Sequence, residues 1–555
     1  MAKNNNSNYR KFNGKGANSQ SNSKFRPKKQ GMQSDVMGSP YKQSPQGKPG
    51  RKQRNSADVD EDAVISRGNP VSFYTKYDRF VTDAATLPFA KPVGSYTNIN
   101  AYAKLAGDAE TPMQLSATYY TPGVMGIYFV PTIGVSKDYS SPINRSSIRF
   151  YTYLRSNQKA SAAYDHQDVT MMEVALDSCY MFHGLMTKIY AILNQFTPVN
   201  EYYSRATIAA CGADFEDIRA NVQDFRAYIN TFAYSLGQYA LPRDITLFDR
   251  HRWMVEGQYT DSESTKAQTY MFVPCGFWKY DNTVATGSQL TWVDYIGEEN
   301  QPTIHTFAQL KALGDSLLNA ISGEEDFAII SGDIYNFYGG DTYTLPYIDE
   351  NYSVLPVFDR TVLSQIENLS IVPLDMSSLL ISQNPSVNEG AIIFKPQLAA
   401  AWNAGVSLDN EMNFHWDRPS AEDVIEASRL MAVLSATDGI LACGTELVTR
   451  VKAYTRNILT GAFQAQDTNT QIFYQSGASD LSASTSAIQR LLTFAQFDWA
   501  PQLQFWYATG VSSRPYMFSG TTWDIDNYDT IPSEYLANIH TGCLLSLFKV
   551  GVNRE

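Results

Sequence analysis

The first 56 residues contain no leucine, isoleucine, tryptophan or cysteine. A chain without such side chains cannot bury enough apolar surface to offset an ordering entropy of roughly 1 to 2 kcal/mol per residue. The stretch is built mainly from Asn, Ser, Gln, Gly, Lys and Arg, and it is expected to be a disordered arm. It carries 13 Lys or Arg against a single acid, Asp35. The cations are Lys3, Arg10, Lys11, Lys15, Lys24, Arg26, Lys28, Lys29, Lys42, Lys48, Arg51, Lys52 and Arg54. Scattered among glycine, proline and amide residues, they suit a neutraliser of phosphates better than a reader of sequence, because an extended chain presents no fixed geometry to base edges. Tyr9, Phe12, Phe25 and Tyr41 are interleaved and can stack on unpaired bases. A tail that only keeps the protein soluble, or an import signal at Arg51 to Arg54, would need fewer cations. Packaging of RNA, without sequence specificity, is therefore the favoured reading of the arm.

Composition changes at the acidic collar Asp58, Asp60, Glu61 and Asp62, after which apolar residues recur from Val64 and Ile65 onward. The whole chain has a formal net charge of −12, but the 31 cations and 55 acids beyond residue 56 give the body −24. An acidic body repels nucleic acid and leaves the attraction to the arm. At 555 residues the chain exceeds what one hydrophobic core usually serves. Only 18% of residues are charged while 13% are aromatic, a balance that suits extensive contact between subunits. Aromatic clusters such as Tyr119-Tyr120, Tyr202-Tyr203, Phe277-Trp278 and Phe505-Trp506-Tyr507 point the same way.

From Asp214 to Tyr239 the apolar residues Phe215, Ile218, Val222, Phe225, Ile229, Phe232 and Leu236 recur at three and four, which predicts an amphipathic helix. Thr306 and Gln309 form a capping box for a helix ending near Gly323. Ser420 and Asp423 open another, with Ile425, Leu430, Met431 and Leu434 inside it. Met171 to Phe196 and Ser482 to Phe497 also read as helices, the former apolar nearly all round. Thr269 to Phe277, Leu290 to Tyr295, Phe327 to Phe337, Tyr343 to Leu355 and Ala391 to Phe394 read as short strands. The expected class is predominantly α-helical with a mixed α+β insertion. Its parts are an arm over 1–62, a helical layer over 63–244, a strand-rich mixed unit over 245–420, and a second helical layer over 421–555.

No common catalytic class finds its residues here. Gly314-Asp315-Ser316-Leu317 matches the nucleophile block of GDSL esterases, but it lies mid-helix, and His540 lacks the preceding acid that those enzymes need. The six histidines never stand at i, i+4, so no zinc hydrolase is expected. Asp524, Asp526 and Asp529 begin like a calcium loop, but Asp529 stands where glycine is required and Tyr535 where glutamate is. No phosphate-binding glycine loop occurs, and no cofactor or metal is expected. The five cysteines are scattered and read as reduced core thiols. No apolar run is long enough to span a membrane, and the first leucine is Leu87, so no apolar leader is expected. Together these features suit assembly in the host cytoplasm.

The Asn- and Lys-rich arm, the entry segment Arg67-Gly68-Asn69-Pro70-Val71-Ser72-Phe73-Tyr74 leading to Leu87-Pro88-Phe89, and the helix-rich body resemble the picobirnavirus capsid proteins, with partitivirus capsid proteins as the related alternative. The resemblance implies a capsid subunit of a virion. It further implies homodimers that build an icosahedral shell around double-stranded RNA, a projecting domain, mapped onto 245–420, pairing across the dimer axis, and in some members removal of part of the arm. An RNA-binding scaffold that forms no closed shell is the second reading. A hydrolase using Ser316 is the third.

Overall fold

The computed structural model describes most of residues 75–547, with breaks of which the longest are 87–95, 104–112, 400–409 and 483–496. Contacts divide the chain into a unit ending at Pro88 and a unit beginning at Phe89. In the first, helix α1 (Asp78–Ala85) is the described element.

The second unit opens with an antiparallel pair, β1 (Tyr96–Ala103) and β2 (Met113–Tyr120), and continues into β3 (Val124–Pro131). Every residue of β3 is buried, the pattern of a strand covered on both faces. Helix α2 (Pro142–Ser156) follows, then α3 (His166–Asn194), which is buried without interruption from Val169 to Leu193. At 1.5 Å per residue α3 is roughly 43 Å long. It forms the axis of the body: α4 (Glu201–Ala210), α6 (Val222–Leu236) and α7 (Thr246–Glu256) pack on it together with α2. Between α4 and α6 lies the short helix α5 (Phe215–Ala220).

A strand-rich stretch comes next, with β4 (Tyr259–Thr260), β5 (Thr269–Pro274), β6 (Gly276–Asp281) and β7 (Gln289–Asp294). Two helices, α8 (Phe307–Ser322) and α9 (Glu325–Tyr338), return to α3, and β8 (Val357–Phe358), α10 (Arg360–Glu367), β9 (Leu380–Ser382), β10 (Ile393–Phe394) and β11 (Asn410–Phe414) follow. The last part holds α11 (Ala421–Ala427), β12 (Ala432–Ser435), β13 (Gly439–Cys443), β14 (Glu446–Arg456), β15 (Phe463–Asp467), β16 (Thr470–Gln475) and β17 (Leu481–Ser482). It closes with β18 (Leu503–Val511), β19 (Arg514–Thr522), β20 (Asn527–Ile531) and α12 (Ser533–Leu547).

The six-stranded sheet, in the order β15-β14-β3-β5-β4-β8, draws strands from all parts of this unit. β3 runs parallel to β5 and antiparallel to β14. Tyr128 locks the centre: its hydroxyl donates to the Ala210 carbonyl at 2.8 Å and is also bonded to the hydroxyl of Tyr454. A second sheet has the order β10-β9-β7-β6, and a third, β17-β16-β18-β19. The main apolar core draws residues from Val124 to Leu544 through both helical and strand-rich parts, and a smaller one gathers Met412, Phe414, Met431, Ile531 and Leu536. The α+β class expected from the sequence is the class observed.

Several expected elements differ in detail. The helix expected over Asp214–Tyr239 is two helices meeting at Asn221, with the predicted stripe still buried. Phe327–Phe337, expected as a strand, lies in α9; Phe327, Ile330 and Ile334 are its buried residues, a helical spacing that the β-branched isoleucines obscured. Residues 343–355 form no strand. The helix from Ser420 ends at Ala427, and after one 3₁₀ turn the chain becomes β12, which takes Leu434 out of the expected helix. Thr306 and Gln309 do form the capping box of α8. Of the helix expected over Ser482–Phe497, residues 483–496 lie outside the described residues.

Candidate functional site

The thirteen arm cations, Lys3 through Arg54, lie outside the described residues, as do Asp524 and Asp526. Among the described residues, no group of three or more His, Cys, Asp or Glu could hold a metal, and no helix is long and apolar enough to cross a membrane.

Each letter of the Gly314-Asp315-Ser316-Leu317 string has a packing role in α8. A Cβ at Gly314 would collide with the Tyr228 hydroxyl and the Phe182 ring, so glycine lets α8 approach α3 and α6. Asp315 accepts from Tyr228 at 3.0 Å and from Lys311 at 2.6 Å. Ser316 accepts from the Lys279 ammonium at 2.9 Å, and Leu317 is buried. Within a helix the neighbouring N–H groups are committed to the helical ladder, so no oxyanion hole can form beside Ser316. His540 lies in α12, which packs against α2, β12 and β13.

A cluster of buried charge ties three elements together. His251 of α7 donates from Nδ1 to Asp177 of α3 at 2.6 Å, while its Nε2 lies 3.6 Å from Glu446 at the start of β14. Arg250 reaches the same Glu446 oxygen at 2.5 Å and Gln365 of α10 at 3.4 Å. Burial works against a charged imidazole, but the Asp177 and Glu446 carboxylates overcome it and push the His251 pKa up to about 9. Burial likewise opposes the Glu446 anion, and the Arg250 guanidinium with His251 holds its carboxyl well below the usual range. An Asp-His pair of this kind could serve a nucleophile, but the outer nitrogen here faces a carboxylate rather than a hydroxyl. The cluster is a bolt, not a catalytic relay. Two more buried groups on α3 stay neutral: burial pushes Glu173 up to about 8 and His183 down to about 3. Sequence reasoning missed this cluster, because only the fold brings its members from α3, α7 and β14 together.

The described surface also exposes apolar side chains that cluster along one stretch of chain. Tyr335 is 58% exposed, Tyr347 77%, Leu355 71% and Val357 54%. Val357 and Phe358 form β8, the outermost strand of the six-stranded sheet, so they combine exposed apolar surface with an unpaired strand edge. A chain with such an edge is built to be covered by another surface.

Comparison with known proteins agrees with this picture. Residues 73–480 match the family model described as the picobirnavirus capsid protein. A capsid protein precursor from a Human picobirnavirus strain from Thailand is 32% identical over 530 residues, covering 89% of this chain and 93% of that protein. The fold also matches the X-ray structure of the picobirnavirus capsid with a TM-score of 0.69, at 21% identity, over 86% of this chain and 98% of the other.

Proposed function

The chain belongs to the picobirnavirus capsid protein family, and from that premise we propose that it associates with copies of itself, through dimers, into a closed icosahedral shell that packages RNA through its basic arm. As a capsid protein it is a structural component of the virion. The observation that carries the packaging reading is the segregation of charge, with 13 cations against one acid before residue 57 and a net of −24 after it. A shell of acidic bodies with polycationic arms holds RNA inside by counter-charge and leaves its body surfaces free for subunit contacts. Assembly takes place in the host cytoplasm, where the cysteines remain thiols.

In this reading residues 1–62 are the arm, 63–244 and 421–555 build the shell, and 245–420 supply the projecting, dimer-forming part. That last assignment is supported by the exposed apolar side chains between Tyr335 and Leu380. The part is rooted in the rest of the body through β5, which pairs with β3 in the shared sheet. The test is the ultraviolet absorbance ratio of purified particles made with the full arm, with Lys24, Arg26, Lys28 and Lys29 changed to Gln, and with no arm. RNA content is expected to fall in that order while particles still form. Equal RNA in all three would remove the arm from the mechanism. Sedimentation showing RNA-bound protein but no closed particles would favour the open scaffold instead.

A further inference from the structure

The net charge of the body conceals a local exception. Asn144, near the start of α2, donates from its amide to the Ser136 hydroxyl at 3.1 Å and to the carbonyls of Asp138 and Ile392 at 2.9 Å each. Ser136 and Phe394 exchange backbone hydrogen bonds of 2.9 and 3.0 Å. Each of these three anchored residues is followed in the chain by an exposed cation: Lys137 after Ser136, Arg145 after Asn144 and Lys395 after Phe394. Arg149 stands one helical turn beyond Arg145 and is exposed as well. The acid built into this face, Asp138, is occupied: its carboxylate accepts from the Ser140 hydroxyl at 2.6 Å and the Ser140 N–H at 2.8 Å. Helix α2 itself contains three arginines and no acid.

Several other cations on the described surface are partnered, although Lys76 and Arg418 are exposed as well, with no ion pair among the described residues. Arg205 meets Glu216 at 2.6 Å, Arg226 meets Glu350 at 3.1 Å, Arg243 meets Asp341 at 3.6 Å and Lys311 meets Asp315 at 2.6 Å. Lys137, Arg145, Arg149 and Lys395 are set apart by their position together: they form no close ion pair among the described residues, and the Asp138 carboxylate, whose charge Lys395 favours, is one acid against four cations. Interfaces between proteins shed charge from their centres and gather aromatic residues. This face instead gathers cations; the Ser140 and Thr152 hydroxyls on it are exposed, with their protons given to Asp138 and to the Ile148 carbonyl. Arginine and lysine are side chains that contact nucleic-acid phosphates.

We propose that the face formed by α2 and the Ser136–Phe394 bridge is a second contact for the sugar-phosphate backbone of RNA, fixed on the folded body and distinct from the arm. It rests on the reading of the chain as an RNA-packaging capsid protein, and it gives the RNA a docking point of defined geometry on the folded body.

The experiment uses the full-length protein freed of RNA and a fluorescent oligouridylate as probe, with binding followed across a salt series. The body variant carries Lys137→Gln, Arg145→Gln, Arg149→Gln and Lys395→Gln. The arm variant carries Lys24→Gln, Arg26→Gln, Lys28→Gln and Lys29→Gln. With about 0.7 in log–log salt slope per phosphate neutralised on a single strand, the body variant is expected to lose up to roughly 3 from the magnitude of the slope. A variant in which the same four positions exchange Lys for Arg and Arg for Lys is expected to bind as the original does. Should the fourfold body variant fail to fold, the pair Arg145→Gln and Arg149→Gln is read instead, with about half the loss. A folded body variant that binds as the original does, while the arm variant weakens, overturns the proposal and leaves arm packaging standing. Unchanged RNA binding in both variants overturns both readings. Unchanged RNA binding with loss of particles would mean that the face meets an acidic surface of a second copy, and overturns it too.

Discussion

At the scale of single residues, the chain's most enzyme-like string turns out to be a packing device. Replacing Gly314 with alanine is expected to lower stability by roughly 1 to 3 kcal/mol, the usual cost of forcing an extra carbon into a filled space. A fall in the thermal midpoint, against an unchanged midpoint for Ser316→Ala within about 0.5 kcal/mol, checks it. Glu173 gives a pH-dependent counterpart. Its carboxyl is pushed up to about 8, above its ordinary value of 4.5, so the folded chain keeps a proton that the unfolded chain gives up. Stability should therefore fall as pH rises through that window, since the unfolded state then binds fewer protons. Glu173→Gln is expected to remove that slope and to melt higher than the original at pH 8, by on the order of 2 to 4 kcal/mol, with little difference near pH 4. His183 has the opposite sign: it stays neutral down to about 3, so acidification below its ordinary value favours the unfolded chain. None of this was legible in the sequence, where a glutamate or histidine in a helix carries no mark of what surrounds it.

At the scale of elements, the stripe of a one-sided helix and the apolar run of the generally buried α3 were both readable, and the reading failed for some shorter elements. The stripe from Phe215 to Leu236 was readable because its polar residues face out, and only the break at Asn221 escaped. α9 was misread because its isoleucines favour strands in isolation, whereas packing on α3 decided the outcome. The bolt between α3, α7 and β14 was invisible because Asp177, His251 and Glu446 are brought together only by the fold. His251→Ala is expected to cost about 3 to 5 kcal/mol, since it strands the buried Asp177 carboxylate, while Glu446 keeps Arg250. The contribution of His251 should be complete below about pH 6.5 and fade as pH rises through about 9, which denaturation at stepped pH would trace. At the sheet edge, Val357→Lys is expected to leave the fold within about 0.5 kcal/mol, because the residue is exposed. The same change should weaken self-association, because a charged edge resists pairing. A sedimentation profile unchanged at equal concentration would clear β8 of any part in assembly.

At the scale of the whole molecule, the arm expected from composition lies outside the described residues, while the placement of strands after residue 430 was the least legible part of the described fold. Two of those strands, β14 and β20, find partners far away in sequence, in β3 and β11, which no local pattern records. Deleting residues 1–56 is expected to leave the thermal midpoint of the body within about 2 °C, given that the segment has almost no apolar side chains to lend to a core. A large fall would make the arm structural. The pairing of β3 with β14 also sets a clock on biosynthesis. Tyr128 and Tyr454 are 326 positions apart, and at about 5 to 20 residues per second the ribosome takes roughly 15 to 65 s to supply the second after the first. Through that interval the arm has already emerged while β3, buried at every position in the finished fold, lacks its antiparallel neighbour. Folding of the body thus waits for nearly the whole chain. Any hold the arm takes on RNA during translation comes before the subunit has surfaces on which another copy can dock.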